Sequence, residues 1–289
     1  MKFFLVLVLA GVTAAAVLPA EDKYANGKRY YHETIGIKEA ARIKAAEEAT
    51  DFSGDRIVGG SNAALGQFPY MGGLLIRINL IVTSVTSVCG ASMLTNTRAV
   101  TAASCWWDGL LRGSELTVVY GSLTIFTGGT RINTSDVVMH PDWDPDFPLH
   151  NVAVITHEHV RYTLDIHPVA MASGNNLYEN ARAQAIGFGR QEDNAGISSN
   201  QQLHYVYLQV ISNEKCAEDS SVSSLSESII CTSGYGGRSV CHRDHGGPLV
   251  ADRRLIGIVS YVDRLFCEQG HPQLYSRVSS YSSWIAGRL

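Results

Sequence analysis

The densest run of chemically competent side chains in the sequence is Ser239-Val240-Cys241-His242-Arg243-Asp244-His245-Gly246-Gly247-Pro248-Leu249. It offers a hydroxyl, a thiol, two imidazoles, a guanidinium and a carboxylate, and closes on a Gly-Gly-Pro turn. Imidazoles exchange protons near neutral pH and also bind metals, zinc favouring histidine with an open or fourth ligand position. His242 and His245 are close in sequence, and His150 would be their third ligand. The plainer expectation is that His150 and His242 are solvent-facing loop residues and that no metal or other cofactor is bound.

The frame of this run resembles the nucleophile loop of trypsin- and chymotrypsin-like serine proteases, which reads Cys-x-Gly-Asp-Ser-Gly-Gly-Pro-Leu. Arg243 stands where that family has glycine, and His245 stands where it has the nucleophilic serine. The resemblance runs from Ile57-Val58-Gly59-Gly60 to the end of the chain, and is strongest to insect gut chymotrypsin-like enzymes. Thr101-Ala102-Ala103-Ser104-Cys105 resembles the family's Thr-Ala-Ala-His-Cys, with Ser104 in place of the base. Asn151-Val152-Ala153-Val154-Ile155 resembles its Asp-x-Ala-x-Ile, with Asn151 in place of the carboxylate.

Acyl transfer by this family needs a hydroxyl to attack, an imidazole to take its proton and a carboxylate to hold the imidazole. Backbone N–H groups must also meet the developing oxyanion. The resemblance implies that all three triad positions are substituted, and that Arg243 restricts the backbone of one oxyanion donor. Loss of such a triad costs about a million-fold in turnover, roughly 8 kcal/mol. An exchanged site, with His245 deprotonating Ser104, would lack a carboxylate, because Asn151 cannot stabilise an imidazolium in the same way. Its oxyanion donors would also face the wrong oxygen. Proteolysis is therefore not expected.

The same resemblance implies further sites. Ser239 would be a neutral floor of the specificity pocket, which Val262 and Gln273 would narrow. Cleavage between Arg56 and Ile57 would create an amino terminus that pairs with Asp244. Breaking a buried pair of this kind costs roughly 3–5 kcal/mol. The six cysteines admit fifteen connectivities, and the resemblance selects Cys89 with Cys105, Cys216 with Cys231, and Cys241 with Cys267.

These residues need a scaffold, and the chain supplies short segments rich in β-branched and aromatic residues between Gly, Asn, Ser and Asp breaks. They are Gly72 to Ile78, Val88 to Leu94, Ala99 to Ala102, Leu116 to Tyr120, Val152 to Ile155, Ala183 to Phe188, Tyr205 to Ile211, Leu249 to Ala251, Leu255 to Tyr261 and Gln273 to Val278. Many short strands without interleaved helices predict an all-β sandwich or barrel. The resemblance narrows this to two antiparallel six-stranded β-barrels with a cleft between them, over 57–170 and 171–289. A short C-terminal helix is expected over Ser280 to Leu289.

The remaining features bear on where the protein works. Residues 1–16 read as a secretory signal peptide: Lys2, an apolar run Phe3 to Ala10, then Ala14-Ala15-Ala16. Residues 17–56 read as a propeptide without cysteine. Its alanine-rich stretch Glu39 to Ala49 has high helix propensity but little bulk to bury, so a marginal helix or a mobile segment is expected. Cysteines in an exported chain read as disulfides. The net charge of -4 argues against a nucleic-acid partner, and nothing points to a membrane. Lys215 is the only lysine after Arg56, which would suit an alkaline compartment such as a gut lumen. Asn133-Thr134-Ser135 is a glycosylation sequon. Trp106 and Trp107 would lie near the cleft rim, and packing under a neighbouring loop is their expected role. Together these features describe a secreted, monomeric protease homologue, made as a precursor, that binds a protease inhibitor, a protease or a peptide. The alternative is a chymotrypsin-like endopeptidase with residual or rearranged activity.

Overall fold

The computed structural model describes residues 30–49, 61–147, 149–189, 202–220, 225–235, 244–261 and 270–289. Among them, β1 (Ser61–Asn62) is followed by β2 (Met71–Asn79), β3 (Ser84–Thr95), β4 (Arg98–Thr101), β5 (Glu115–Tyr120), β6 (Thr130–Thr134), β7 (Val137–Met139) and β8 (Ala153–Thr156). Strands β2 to β8 form one antiparallel sheet in the order β6-β5-β2-β3-β4-β8-β7. Its end strands β6 and β7 are joined through Ser135 and Asp136, so the chain itself bridges the two edges.

The second half holds β9 (Ala170–Met171), β10 (Arg182–Gly187), β11 (His204–Ile211), β12 (Ile229–Thr232), β13 (Pro248–Ala251), β14 (Arg254–Tyr261) and β15 (Gln273–Arg277). The ladder β11-β10-β13-β14-β15-β12 returns to β11, which closes a six-stranded barrel. β1 pairs with β11 from outside, and β9 runs parallel to β14. A helix, α3 (Val278–Ala286), ends the chain. The fold is the expected all-β one with a short C-terminal helix, but only the second sheet closes as a six-stranded barrel; the first is a seven-stranded half-barrel rather than the six-stranded barrel expected.

Every strand expected from the sequence overlaps an observed one. The elements not expected share weak signals. β6, Thr-Arg-Ile-Asn-Thr, is a largely exposed strand with one apolar residue. The helix α2 (Asn213–Ser220) buries only Cys216 and Ala217 on an otherwise polar turn sequence. The disulfides Cys89–Cys105 and Cys216–Cys231 are both formed. Cys241 and Cys267 lie outside the described residues, as do residues 1–16, Arg56 and Ile57.

The sheets meet where two glycines touch. A Cβ on Gly90 of β3 would lie 2.7 Å from the Cα of Gly247. Gly90 N–H donates to the His245 carbonyl at 2.7 Å, so the turn carrying His245 is tied to the first sheet.

Residues 30–49, within the segment expected to be a propeptide, depart from expectation. A π-helical turn (His32–Gly36) runs straight into α1 (Ile37–Ala49), and both pack on β3. Alanine-rich composition did indicate a helix, but the helix is docked. Ala40, Ile43 and Ala46 recur at the spacing of one helical face and are buried. The partner surface explains a puzzle in β3, where Ser87 to Leu94 is buried without alternation. A strand with one solvated face alternates polar and apolar residues; here the sheet's own core takes one face and residues 30–49 help cover the other. Gly36 is required at the contact, because a Cβ there would run into Ser87 Oγ and lie 3.0 Å from the Tyr31 ring.

Candidate active site

Ser104 sits in a 3-10 turn (Ala103–Cys105) directly after β4, pinned by the Cys89–Cys105 disulfide. His245 sits in a tight turn closed by Gly247 N–H donating to the Asp244 carbonyl at 2.7 Å. Gly246 takes φ +76° there, a position that type II turns reserve for glycine. Asn151 precedes β8. It follows His150, a non-glycine residue at φ 56°, whose N–H donates to Tyr281 Oη at 3.1 Å. Ser276 Oγ donates to the Asn151 carbonyl at 2.9 Å, fixing its backbone.

The three residues meet. Ser104 Oγ lies 2.7 Å from His245 Nε2. Asn151 Oδ1 accepts from Ser104 N–H at 2.9 Å and from its hydroxyl at 3.1 Å. Asn151 Nδ2 lies 3.0 Å from Ser104 Oγ and donates to Ser260 Oγ at 3.0 Å and to the Ser260 carbonyl at 3.3 Å. The order is amide, hydroxyl, imidazole. In a working serine relay the imidazole stands in the middle and the orienting group bonds to its far nitrogen. Here the amide bonds to the hydroxyl. Ser104, Asn151 and His245 are 6%, 2% and 8% exposed.

Part of that burial comes from the segment 30–49. The Tyr31 ring stacks on the His245 ring at 4.4 Å between centroids and 18° between planes. Its hydroxyl donates to the Val88 carbonyl at 2.6 Å. Burial, with the carboxylates of Glu39, Asp244 and Asp108 nearby, holds the Tyr31 phenol far above its ordinary pKa. His32 N–H donates to Asp108 Oδ2 at 2.7 Å, and its Nδ1 lies 2.8 Å from Ser87 Oγ. Tyr31, His32, Ser87 and Asp108 were not expected at the site. The aromatic cluster Tyr30-Tyr31-His32, in an otherwise polar, alanine-rich segment, is the signal that could have found them.

The other candidate residues fall out as follows. Asp244 is buried and accepts from Gly189 N–H at 3.0 Å. The missing side chains of Gly187 and Gly189 make room for its carboxylate. Gln273 is buried at the start of β15, with Nε2 donating to the His271 carbonyl at 3.3 Å. Ser239, His242, Arg243 and Val262 lie outside the described residues. Asn133 is exposed on β6. Trp106 is buried and Trp107 half-buried, as packing residues should be.

His150 corrects an expectation. It is half-buried rather than solvent-facing, stacked on His140 at 5.0 Å, with Nδ1 fully enclosed. The first β-sheet's loops and α3 close around it, which one sequence gives no way to see. Nor does it join His245, whose Nε2 faces Ser104. The described residues that could bridge a cation are instead His140, Asp142 and His150, whose ligand atoms lie within 4.8 Å of one another.

The sequence profile of the Trypsin family matches residues 57–285. Collagenase of Hypoderma lineatum is 36% identical over 235 residues, covering 80% of this chain and 86% of its own. Serine protease 1 of Drosophila melanogaster is 31% identical over 237 residues, covering 80% and 84%. A solved structure described as HL collagenase aligns with a TM-score of 0.72 at 35% identity, over 80% of this chain and 98% of its own.

Proposed function

The chain belongs to the trypsin family of serine proteases, and from that premise we propose that it is a secreted member that binds a protein or peptide in its cleft without cutting it. The observation that carries this reading is the order of the polar chain. Asn151 bonds to Ser104 rather than to an imidazole, so the position that holds the family's carboxylate here offers a neutral amide to a hydroxyl. The relatives carry protease and collagenase names, so proteolysis is the property that the chain would have lost under this reading. It keeps the disulfides and the buried Asp244, features of a shell able to present a cleft. The two disulfides fit an oxidising, extracellular setting. A protease inhibitor, an active protease or a peptide is the partner class that such a cleft fits, and cleavage at Arg56 is the step that would mature it.

A second reading rests on one distance. With Ser104 Oγ 2.7 Å from His245 Nε2, the imidazole could take the hydroxyl proton and Ser104 could attack an ester or peptide. A general base alone contributes typically about 10²–10⁴-fold, far below the family's full rate. Steady-state hydrolysis of peptide esters and amides by the protein cleaved after Arg56 separates the readings. Binding without turnover is expected. Turnover about 10²–10⁴-fold above the uncatalysed rate, abolished by Ser104→Ala, would establish the second reading instead.

A further inference from the structure

We propose that the groove over Ser104 and His245 is a peptide-binding site whose occupant is the chain's own segment Tyr30–Ala49, which stays bound non-covalently once the Arg56–Ile57 bond is cut. This rests on the cleft being a binding surface, and holds whether or not Ser104 reacts.

The segment is anchored at both ends. At one, Tyr31 covers the His245 ring and bonds to the Val88 carbonyl, while His32 bonds to Asp108 and Ser87. Asp108 is prepared for this contact, since its other oxygen already accepts from Leu110 and Leu111 N–H at 3.0 and 2.8 Å. At the other end the Glu47 carboxylate accepts from Ile125 N–H at 2.7 Å, Phe126 N–H at 3.0 Å and Thr127 Oγ1 at 3.2 Å. These anchors stand about 24 Å apart along a helix rising ~1.5 Å per residue. The span between them is thin. Ala40, Ile43 and Ala46 are its buried apolar residues, and a groove of about 590 Å³ stays open beside Ile37, Lys44, Arg77 and Phe126. Every cysteine lies after Arg56, so nothing covalent would tether the segment after scission. A tyrosine buried with its hydroxyl satisfied is the kind of anchor that dominates a peptide's affinity.

The anchor chemistry makes retention pH-sensitive. His32 is fully buried, and its Nε2 has no hydrogen-bond partner among the described residues. Ser87 Oγ holds its Nδ1, the Tyr31 ring lies edge-on to it, and Asp108 is the charged group facing it. Burial lowers its pKa from 6.5 to about 4, with Asp108 opposing the shift. A pKa depressed in the docked state means that docking is strongest above 6.5 and weakens as pH falls below it. Glu47 shifts upward through burial, against its hydrogen bonds, so it favours docking in acid, over the window just above 4.5. Between about pH 7.5 and about pH 5.5 the His32 effect governs and weakens binding roughly tenfold.

The test uses the full chain with a site-specific protease sequence replacing residues 51–56. After cleavage, size exclusion with mass spectrometry asks whether the propeptide fragment travels with the rest. Co-elution at about pH 7.5 and a roughly tenfold weaker retention at about pH 5.5 are expected. Tyr31→Ala should weaken retention by roughly a hundredfold or more. Immediate release of the wild-type fragment at neutral pH would overturn the proposal, and so would retention indifferent to Tyr31→Ala. If the variant cannot be cleaved cleanly, hydrogen exchange in the uncut chain replaces it. Tyr31→Ala must then speed exchange across 30–49 and at Val88, and unchanged exchange refutes the site. Neither result alters the turnover assay.

Discussion

Ser104 Oγ has three polar atoms within 3.1 Å, namely Asn151 Oδ1, Asn151 Nδ2 and His245 Nε2. A hydroxyl has one proton to give. Given to Oδ1, it leaves the imidazole as donor and no base. Given to the imidazole, it leaves the Asn151 N–H bonded to the oxygen lone pair that would have to attack. Either arrangement satisfies the hydrogen bonds of a buried site, and under the proposed reading either would suppress reaction. Restoring the family's side chains should therefore require all of them together. Ser104→His, Asn151→Asp, His245→Ser and Arg243→Gly combined should raise ester hydrolysis at least about a thousandfold over the parent. Each alone should leave it at the parent level, because triad members act as a unit. A parent rate equal to that of the combined variant would contradict this account.

At the scale of elements, most of what positions the site is legible in the sequence. The strands that carry function have dense β-branched patterns, and the Gly246-Gly247-Pro248 turn declares itself by its glycines. The residues that were not legible are those whose partners come from far along the chain. His150 became half-buried because Tyr281 and His140 close on it. Residues 30–49 docked because β3 offers them a second face. Close backbone contacts are likewise invisible in one sequence, and they make sharp predictions. Gly90→Ala should lower stability by about 1–3 kcal/mol in urea unfolding, because its neighbour at 2.7 Å is the backbone of Gly247. Gly36→Ala should leave the barrels' melting temperature unchanged yet speed tryptic cleavage after Arg42 and Lys44, because the collision with Ser87 lifts the segment away.

For the molecule as a whole, the scarcity of lysine after Arg56 pairs with a structural fact. Lys215 bonds to Asp219 at 2.6 Å, and that hydrogen bond raises its pKa, so the main domain's one lysine keeps its charge further into alkali. The phenols limit alkaline tolerance. Tyr31, Tyr70, Tyr120 and Tyr275 are all pushed up from 10.0, mainly by burial. A phenol whose native pKa is raised contributes stability below 10.0 and loses it as pH climbs beyond, because the unfolded chain sheds protons that the native one retains. Unfolding free energy should hold level to about pH 9.5 and then decline, with phenolate absorbance incomplete until the fold is lost. The proposed binding without cutting is tested most directly with a fluorophosphonate, which labels any serine able to attack. Treatment of the chain cleaved after Arg56, followed by peptide mass spectrometry, should find Ser104 and every other serine unmodified. Stoichiometric label on Ser104, lost on His245→Ala, would contradict the account.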